Sequence, residues 1–160
     1  MSGTAPGLWL RLVAMTYEAV LLFGIAFAAG LALLALAGWT YPLPAERRWL
    51  LQAVVFVAVG AYFVYFWARA GQTLAMKSWR LRVAGPDGRP PGIARALARY
   101  VLAWSLFAPG LVFAAVARAG IGWNLLALAA GLLAVLSLAR FDRDGRLLHD
   151  RLTGTRVIRE

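Results

Sequence analysis

Cysteine is absent from this chain of 160 residues, and histidine occurs once, at His149. Disulfides, thiolate metal sites and clusters of histidine ligands are therefore excluded. The sequence also lacks the phosphate-binding pattern G-x-x-x-x-G-K-[ST] and the nucleophile pattern G-x-S-x-G. Because no nucleophile–base pair is recognisable, we predict a protein that is not an enzyme and that uses no metal or other cofactor.

Polar residues are too few to cover a soluble domain of this length. The chain is 62% hydrophobic, with a mean hydropathy of +0.69, whereas typical soluble domains are about 45–50% apolar. Four apolar runs cover roughly residues 12–37, 49–68, 97–117 and 121–139. Each is close to the ~20 residues that a helix needs to cross ~30 Å of hydrocarbon, where backbone groups must bond within the helix. The sequence predicts an all-α polytopic membrane protein, a four-helix transmembrane bundle that forms one domain over residues 1–160.

The first run is interpreted as a transmembrane helix rather than a cleaved signal peptide. A secretory signal has a basic segment followed by an apolar stretch of about 7–15 residues. Here Arg11 alone precedes a run of 26 residues, which contains Glu18 and no clear cleavage site.

Acidic residues are scarce: the chain has seven Asp and Glu residues and 17 Lys and Arg residues. The basic residues concentrate in the connection 69–96 and in the tail 140–160. Since Lys and Arg favour the cytoplasmic side of a membrane, we predict that this connection, the tail and both termini are cytoplasmic. Such a distribution explains the net charge of +10 without nucleic acid as a partner, and it favours contact with anionic lipids of the bilayer.

Two features of the second half affect its topology. Residues 117–122 contain a single charge, Arg118, between the third and fourth runs. This junction is either a tight antiparallel hairpin or the edge of a re-entrant segment, and the basic tail favours the hairpin. Pro109-Gly110 lies within the third run and predicts a kink, because proline removes a backbone hydrogen bond.

Short ordered segments are predicted between and after the apolar runs. Thr73 is expected to cap a helix after a turn at Gly71-Gln72-Thr73, and Pro86-Asp87-Gly88 is a second turn signal. The expected elements in the connection are a short interfacial helix over Leu74–Trp79, an extended segment over Leu81–Val83 and a helix that begins near Ile93. Those in the tail are a turn at Asp144-Gly145, a short helix over Leu147–Leu152 and an extended segment over Thr155–Ile158.

Glu18 is the most informative side chain, because a charged residue at the centre of a membrane helix costs roughly 2.5–3.5 kcal/mol to insert. It follows Arg11 by seven residues, about 10 Å along the helix and on nearly the same face. Glu18 is either a proton- or cation-linked site or a structural ion pair or hydrogen-bond hub between helices. The other runs offer five polar partners for it, at Tyr62, Tyr65, Ser105, Asn124 and Ser137.

Arg11 is either a topology anchor or the partner of a carboxylate in the tail, for which Asp150 is our choice. The prediction is an Arg11–Asp150 pair that holds the tail against the first helix. His149 and Asp150 resemble a general-base pair, but adjacent residues of a helix face different directions, so a catalytic pairing between them is not expected.

These residues together resemble the RDD family of small bacterial membrane proteins. The family has an Arg at the start of its first helix, which Arg11 matches, and an Asp within that helix, where this chain has Glu18. A second Asp lies in a C-terminal His-Asp-Arg-Leu-x-Gly-Thr pattern, which residues 149–155 fit. The residues of the supporting motifs are Gly71, Gln72 and Thr73 in the connection and His149, Arg151, Gly154 and Thr155 in the tail.

The resemblance implies a multi-pass protein of the bacterial inner membrane in which Arg11, Glu18 and Asp150 form a polar cluster at the inner leaflet. It also implies a transport role, since cation/proton exchange has been suggested for some members. The alternative is a non-catalytic scaffold or partner subunit, whose basic cytoplasmic face binds lipid or protein, with a second copy or another membrane protein as partner. A polar cavity that reaches Glu18 from both faces favours transport, and a dry, well-packed Glu18 favours the scaffold.

Overall fold

A computed structural model describes residues 7–117, 120–138 and 147–159. These residues are mostly helical, which confirms the predominance of helix. The elements, in chain order, are α1 (Leu8–Ala37), α2 (Ala45–Ala70), α3 (Leu74–Ser78), β1 (Leu81–Ala84), α4 (Ile93–Ala103), a 3₁₀ turn (Trp104–Leu106), α5 (Ala108–Ala117), α6 (Ile121–Leu138), α7 (Leu148–Thr153) and β2 (Arg156–Arg159).

Helices α1 and α2 are the two long apolar helices and pack against each other. They have 30 and 26 residues and end at Gly38 and Gly71, whose left-handed backbone stops each helix. Both are long and apolar enough to cross a membrane, and only 0% and 6% of their most apolar windows are buried inside the protein. Apolar side chains such as Phe23, which is 72% exposed, therefore face outward, as expected for a membrane protein.

The third apolar run is not one continuous helix. It is divided into α4, the 3₁₀ turn and α5, so the disturbance predicted from Pro109 is found as a 3₁₀ turn that begins five residues earlier. The ring of Pro109 would collide with the carbonyl of residue 105 in a regular α-helix, and this clash explains the position of the turn. Helix α5, with 10 residues, spans only about 15 Å, so the predicted four-helix transmembrane bundle is not confirmed.

Helices α5 and α6 form a tightly packed antiparallel pair. A Cβ atom added to Gly110 would lie 2.5 Å from the Cα of Leu128, and one added to Gly131 would lie 3.0 Å from the backbone nitrogen of Gly110. Glycine is required there because the two backbones approach so closely. Arg118 and Ala119 of the junction, and Ala139 at the end of the fourth run, lie outside the described residues.

The segments outside the apolar helices form a small folded unit, which we call the interfacial cap and define as α3, β1, α7 and β2. Strands β1 and β2 pair antiparallel, with Leu81 opposite Arg159 and Ala84 opposite Arg156. The predicted helix and extended segment of the connection are therefore confirmed as α3 and β1, and those of the tail as α7 and β2. The turn expected at Asp144-Gly145 lies outside the described residues.

Two hydrophobic clusters fasten the interfacial cap to the long helices. Trp67 of α2, Val83 of β1 and Tyr100 of α4 form the first cluster together with Ala96. In the second, Leu147 packs with Leu106, and Leu12 of α1 packs against this pair. Apolar contact thus holds the start of α7 against the beginning of α1.

We predict that Gly71→Ala lowers the melting temperature of the purified protein. Gly71 has a φ of +71°, and an added Cβ would lie 2.6 Å from the carbonyl oxygen of Val83. Left-handed backbone alone costs a non-glycine residue about 1–2 kcal/mol, and the overlap adds to that cost. The measurement is thermal unfolding in mild detergent, followed by tryptophan fluorescence.

Gly24→Ala is the matched control, because no atom lies within 4 Å of its added Cβ. Its melting temperature should equal or exceed that of the wild type, since alanine has the higher helix propensity. Equal losses for both substitutions would contradict the close approach of Gly71 to β1.

Candidate functional site

Glu18 lies at the junction of α1, α2 and α3, and it is only 9% exposed. Its Oε1 atom accepts a hydrogen bond of 2.7 Å from the hydroxyl of Tyr62. Its Oε2 atom accepts a short hydrogen bond from the hydroxyl of Thr73. Each carboxylate oxygen therefore has a hydroxyl donor in place of water, which offsets the cost of burying the charge. Tyr62 was among the partners proposed from the sequence, whereas Thr73 was predicted only as a helix cap.

The same two hydroxyls also bind the first turn of α3. The backbone N–H of Leu74 donates to the Tyr62 oxygen over 3.3 Å. The N–H of Met76 donates to Oγ1 of Thr73 over 3.2 Å, which confirms Thr73 as the N-cap. The N–H groups of a short helix are thus connected through two hydroxyls to a carboxylate on another helix. Glu18 consequently determines where α3 begins relative to α1.

Asp150 is fully buried, at 0% exposure, and each of its carboxylate oxygens has a partner. Oδ1 forms a short ion pair with Nη1 of Arg99 in α4. Oδ2 accepts a hydrogen bond of 3.2 Å from the backbone N–H of Leu147. Nη1 of Arg99 also donates to the hydroxyl of Thr155 over 2.7 Å. Asp150 and Thr155 therefore share one arginine, which connects α7 and the start of β2 to α4.

Arg99 is the main residue of this site that sequence reasoning missed. It lies in the third apolar run, directly after the basic connection, and no partner was predicted for it, but it is 4% exposed. Its guanidinium also lies over the ring of Trp67, 5.0 Å from the ring centroid, a cation–π geometry. One signal was available: Ala96 and Tyr100, which bracket Arg99, lie at helical spacing in an apolar segment, so a residue between them can face inward.

Arg99 of α4, rather than Arg11, makes the direct ion pair with Asp150 among the described residues. Arg11 is buried near the start of α1 and lies within electrostatic range of both Asp150 and Arg99. The charge of Asp150 therefore attracts two buried arginines. The direct ion pair that the sequence assigned to Arg11 of α1 is made by Arg99 of α4.

Electrostatics keep Asp150 charged and His149 neutral. Burial alone would raise the pKa of Asp150, but the neighbouring Arg99 guanidinium holds that pKa below its ordinary value. Burial and the charges of Arg99 and Arg11 lower the pKa of His149 to about 4, against the opposing effect of Asp150. Nε2 of His149 lies 3.7 Å from Oδ1 of Asp150, but a neutral imidazole makes no ion pair at neutral pH.

The supporting residues predicted from the family resemblance have structural positions in this arrangement. Gly71 and Gly154 both have positive φ and end α2 and α7. Thr155 is buried and binds Arg99. Gln72 is partly buried and Arg151 is exposed, and both make interactions within the protein.

The two carboxylates thus hold helices together, and each acts through donors that the chain itself supplies. Within the described part of the chain, no group of three or more His, Asp or Glu residues could hold a metal ion. Two surface grooves flank α2, one lined by Tyr65 and Arg69 and the other by Phe27 and Leu51, and Glu18 lines neither. Its low exposure and its two hydroxyl donors make the surroundings of Glu18 a packed junction.

Comparison with known proteins gives one match. The model of a protein family described as the RDD family matches residues 5–154, which is most of the chain and agrees with the resemblance of the motifs. No curated protein and no solved structure matches the chain.

A double-mutant cycle should show which of the two arginines, Arg99 or Arg11, interacts more strongly with Asp150. We expect Arg99→Gln to destabilise the protein by about 3–5 kcal/mol, because it leaves Asp150 buried without its direct ion-pair partner. Combined with Asp150→Asn, it should show a coupling energy of about 2 kcal/mol, whereas Arg11→Gln with Asp150→Asn should show less than half of that. The measurement is chemical unfolding in mild detergent. A larger coupling for Arg11 would restore the pair that the sequence predicted.

Stability should fall in acid through His149. Its pKa is about 4 in the folded protein and 6.5 for an ordinary histidine, so protonation favours the unfolded chain. The contribution is complete above pH 6.5 and is lost as the pH falls to about 4, by about 3 kcal/mol in total. His149→Gln, which removes the only histidine, should flatten this part of the profile of melting temperature against pH. Parallel profiles for both proteins would contradict a buried neutral His149.

Proposed function

We propose that this chain, which belongs to the RDD family, is a non-catalytic membrane scaffold or partner subunit. In this role α1 and α2 anchor the protein in the bilayer, and the interfacial cap presents a basic surface to anionic lipid or to an acidic partner protein. Family membership and the two exposed apolar helices support a membrane location. A partner is either a second copy or a different membrane protein.

The proposed orientation follows the distribution of charge. Residues 71–99 and 147–159 carry seven exposed basic side chains, at Lys77, Arg80, Arg89, Arg95, Arg151, Arg156 and Arg159, and one exposed acid, Asp87. Basic residues favour the cytoplasmic side, so the cap faces the cytoplasm of a bacterium and both termini lie there. This orientation requires four crossings of the inner membrane, by α1, α2, the α4–α5 segment and α6.

The observation that supports the scaffold role is the hydrogen bonding of Glu18. A carboxylate that takes up a transported ion has to release the hydrogen bonds that already occupy its oxygens. Both oxygens of Glu18 instead accept hydroxyl hydrogen bonds that position α3, and their donors also bind the α3 backbone. Releasing them would detach part of the cap, which favours a structural role.

A cation- or proton-linked transporter is the second candidate. The observation in its favour is the position of Glu18 within a membrane-length helix, where an ionisable residue commonly has a functional role. Protonation of Glu18 at Oε1 would disturb the 2.7 Å hydrogen bond that the Tyr62 hydroxyl donates to that atom, which would link the charge of Glu18 to α2.

One experiment compares the two candidates with the isosteric variant Glu18→Gln. Proton, Na⁺ and K⁺ fluxes are measured in proteoliposomes, and hydrogen exchange of the α3 amides is measured on the same preparations. For a scaffold we expect no flux above protein-free liposomes, and at least tenfold faster exchange at Leu74 and Met76 in the variant. Glu46→Gln, at the first turn of α2, is the matched control and should leave exchange in α3 unchanged.

Flux by the wild type that Glu18→Gln abolishes, with exchange in α3 unchanged, would overturn the scaffold and establish transport. Unchanged exchange together with no flux would also contradict the proposal, because Glu18 would then not hold α3.

A further inference from the structure

An apolar groove runs along the outer face of α2 towards the start of α4. Its volume is about 380 Å³, within the range of sites that hold small molecules. The residues that line it are Ala61, Val64, Tyr65, Ala68, Arg69 and Ile93. All of them except Ile93 belong to the last three turns of α2, and Ile93 is the first residue of α4.

The shape of the groove follows from residue size and helical spacing. Ala61 and Ala68 are seven residues apart, close to two turns, so they lie on one face of α2. Their small side chains leave a depression that the larger Val64 and Tyr65 border. Ile93 forms the opposite wall and is 70% exposed. The groove therefore opens outward, on the side of α2 that faces lipid in the proposed orientation.

A positive charge lies at one end of the apolar groove. Nη1 of Arg69 donates to the hydroxyl of Tyr65 over 3.0 Å, and its guanidinium lies 5.7 Å from the centroid of the Tyr65 ring. Arg69 is in the last turn of α2, and Ala61 is eight residues earlier, about 12 Å deeper along the helix axis. The site is thus cationic at the end of the helix and apolar towards its middle.

We propose that this groove binds one anionic phospholipid, with an acyl chain along α2 beside Ile93 and the phosphate at Arg69. The planar guanidinium has several N–H donors and matches the geometry of phosphate, and Tyr65 already orients it. Anionic lipids are abundant in the cytoplasmic leaflet, which Arg69 faces in the orientation proposed above. The inference rests on that orientation and names a specific lipid site separate from the interfacial cap.

The test uses the full chain in detergent, with phosphatidylglycerol and phosphatidylcholine of identical acyl chains, and measures bound lipid by native mass spectrometry. We expect the wild type to retain phosphatidylglycerol preferentially. Arg69→Gln should reduce that retention about tenfold, the effect of losing one charge-assisted contact. Arg47→Gln is the matched control, because Arg47 is also an exposed α2 arginine over an aromatic ring, that of Trp39, but lies outside the groove.

A second pair of variants tests the apolar part. Ala61→Phe fills the groove and should reduce retention of both lipids, whereas Ala53→Phe adds the same ring at another exposed position of α2 and should change neither. Circular dichroism and melting temperature show whether each variant is folded.

Retention of phosphatidylglycerol by Arg69→Gln at the level of the wild type would overturn the site, as would equal losses in Arg69→Gln and Arg47→Gln. Normal binding of both lipids by the Ala61→Phe protein would contradict the proposal that an acyl chain lies in the groove. Lipid retention in detergent does not depend on flux or on exchange in α3, so failure of this proposal and failure of the scaffold are distinguishable.

Discussion

Charges withdrawn from water need donors or counter-charges, and the arrangement of this protein depends on how two carboxylates obtain them. Glu18 is bound by the hydroxyls of Tyr62 and Thr73, and Asp150 by the guanidinium of Arg99. An unmatched carboxylate in either position would cost several kcal/mol. Each carboxylate therefore forces separate parts of the chain to meet: α1 with α2 and α3 at Glu18, and α4 with α7 at Asp150.

These two junctions explain how a short, strongly basic segment becomes an ordered unit. Helix α3 has five residues and the β1–β2 ladder has four residues a strand, lengths that are not stable alone in water. Hydrogen bonds from Glu18 position α3, Arg99 holds α7, and the cluster around Trp67 and Val83 covers β1. Exposed lysine and arginine side chains are thereby held on a rigid support, which suits a surface that binds anionic lipid or an acidic protein.

Patterns that depend on neighbouring residues were predictable to within a few positions. Thr73 as an N-cap, the beginning of α4 at Ile93 and the extended segments in the connection and the tail follow from local turn and capping chemistry. The 3₁₀ turn before Pro109 was only partly predictable, because proline shows that a helix is disturbed but not which form the disturbance takes. Contacts across the fold were harder to predict: Arg99 has the same local signature as any basic residue of a connection, and only packing beside Trp67 buries it.

Composition and periodicity by themselves determined that the chain is helical, that it has apolar helices of membrane length and that its charge is concentrated in two segments, because these properties depend on residue type and spacing. The motifs around Arg11, Glu18 and Asp150 determined the family. Tertiary structure alone decided that Asp150 pairs with Arg99 rather than Arg11, that Thr73 joins Glu18, and that the two extended segments form one ladder. These contacts link residues that are 51, 55 and about 75 positions apart. Several side chains along the sequence are chemically suitable partners, and helix packing decides which of them come within hydrogen-bond distance.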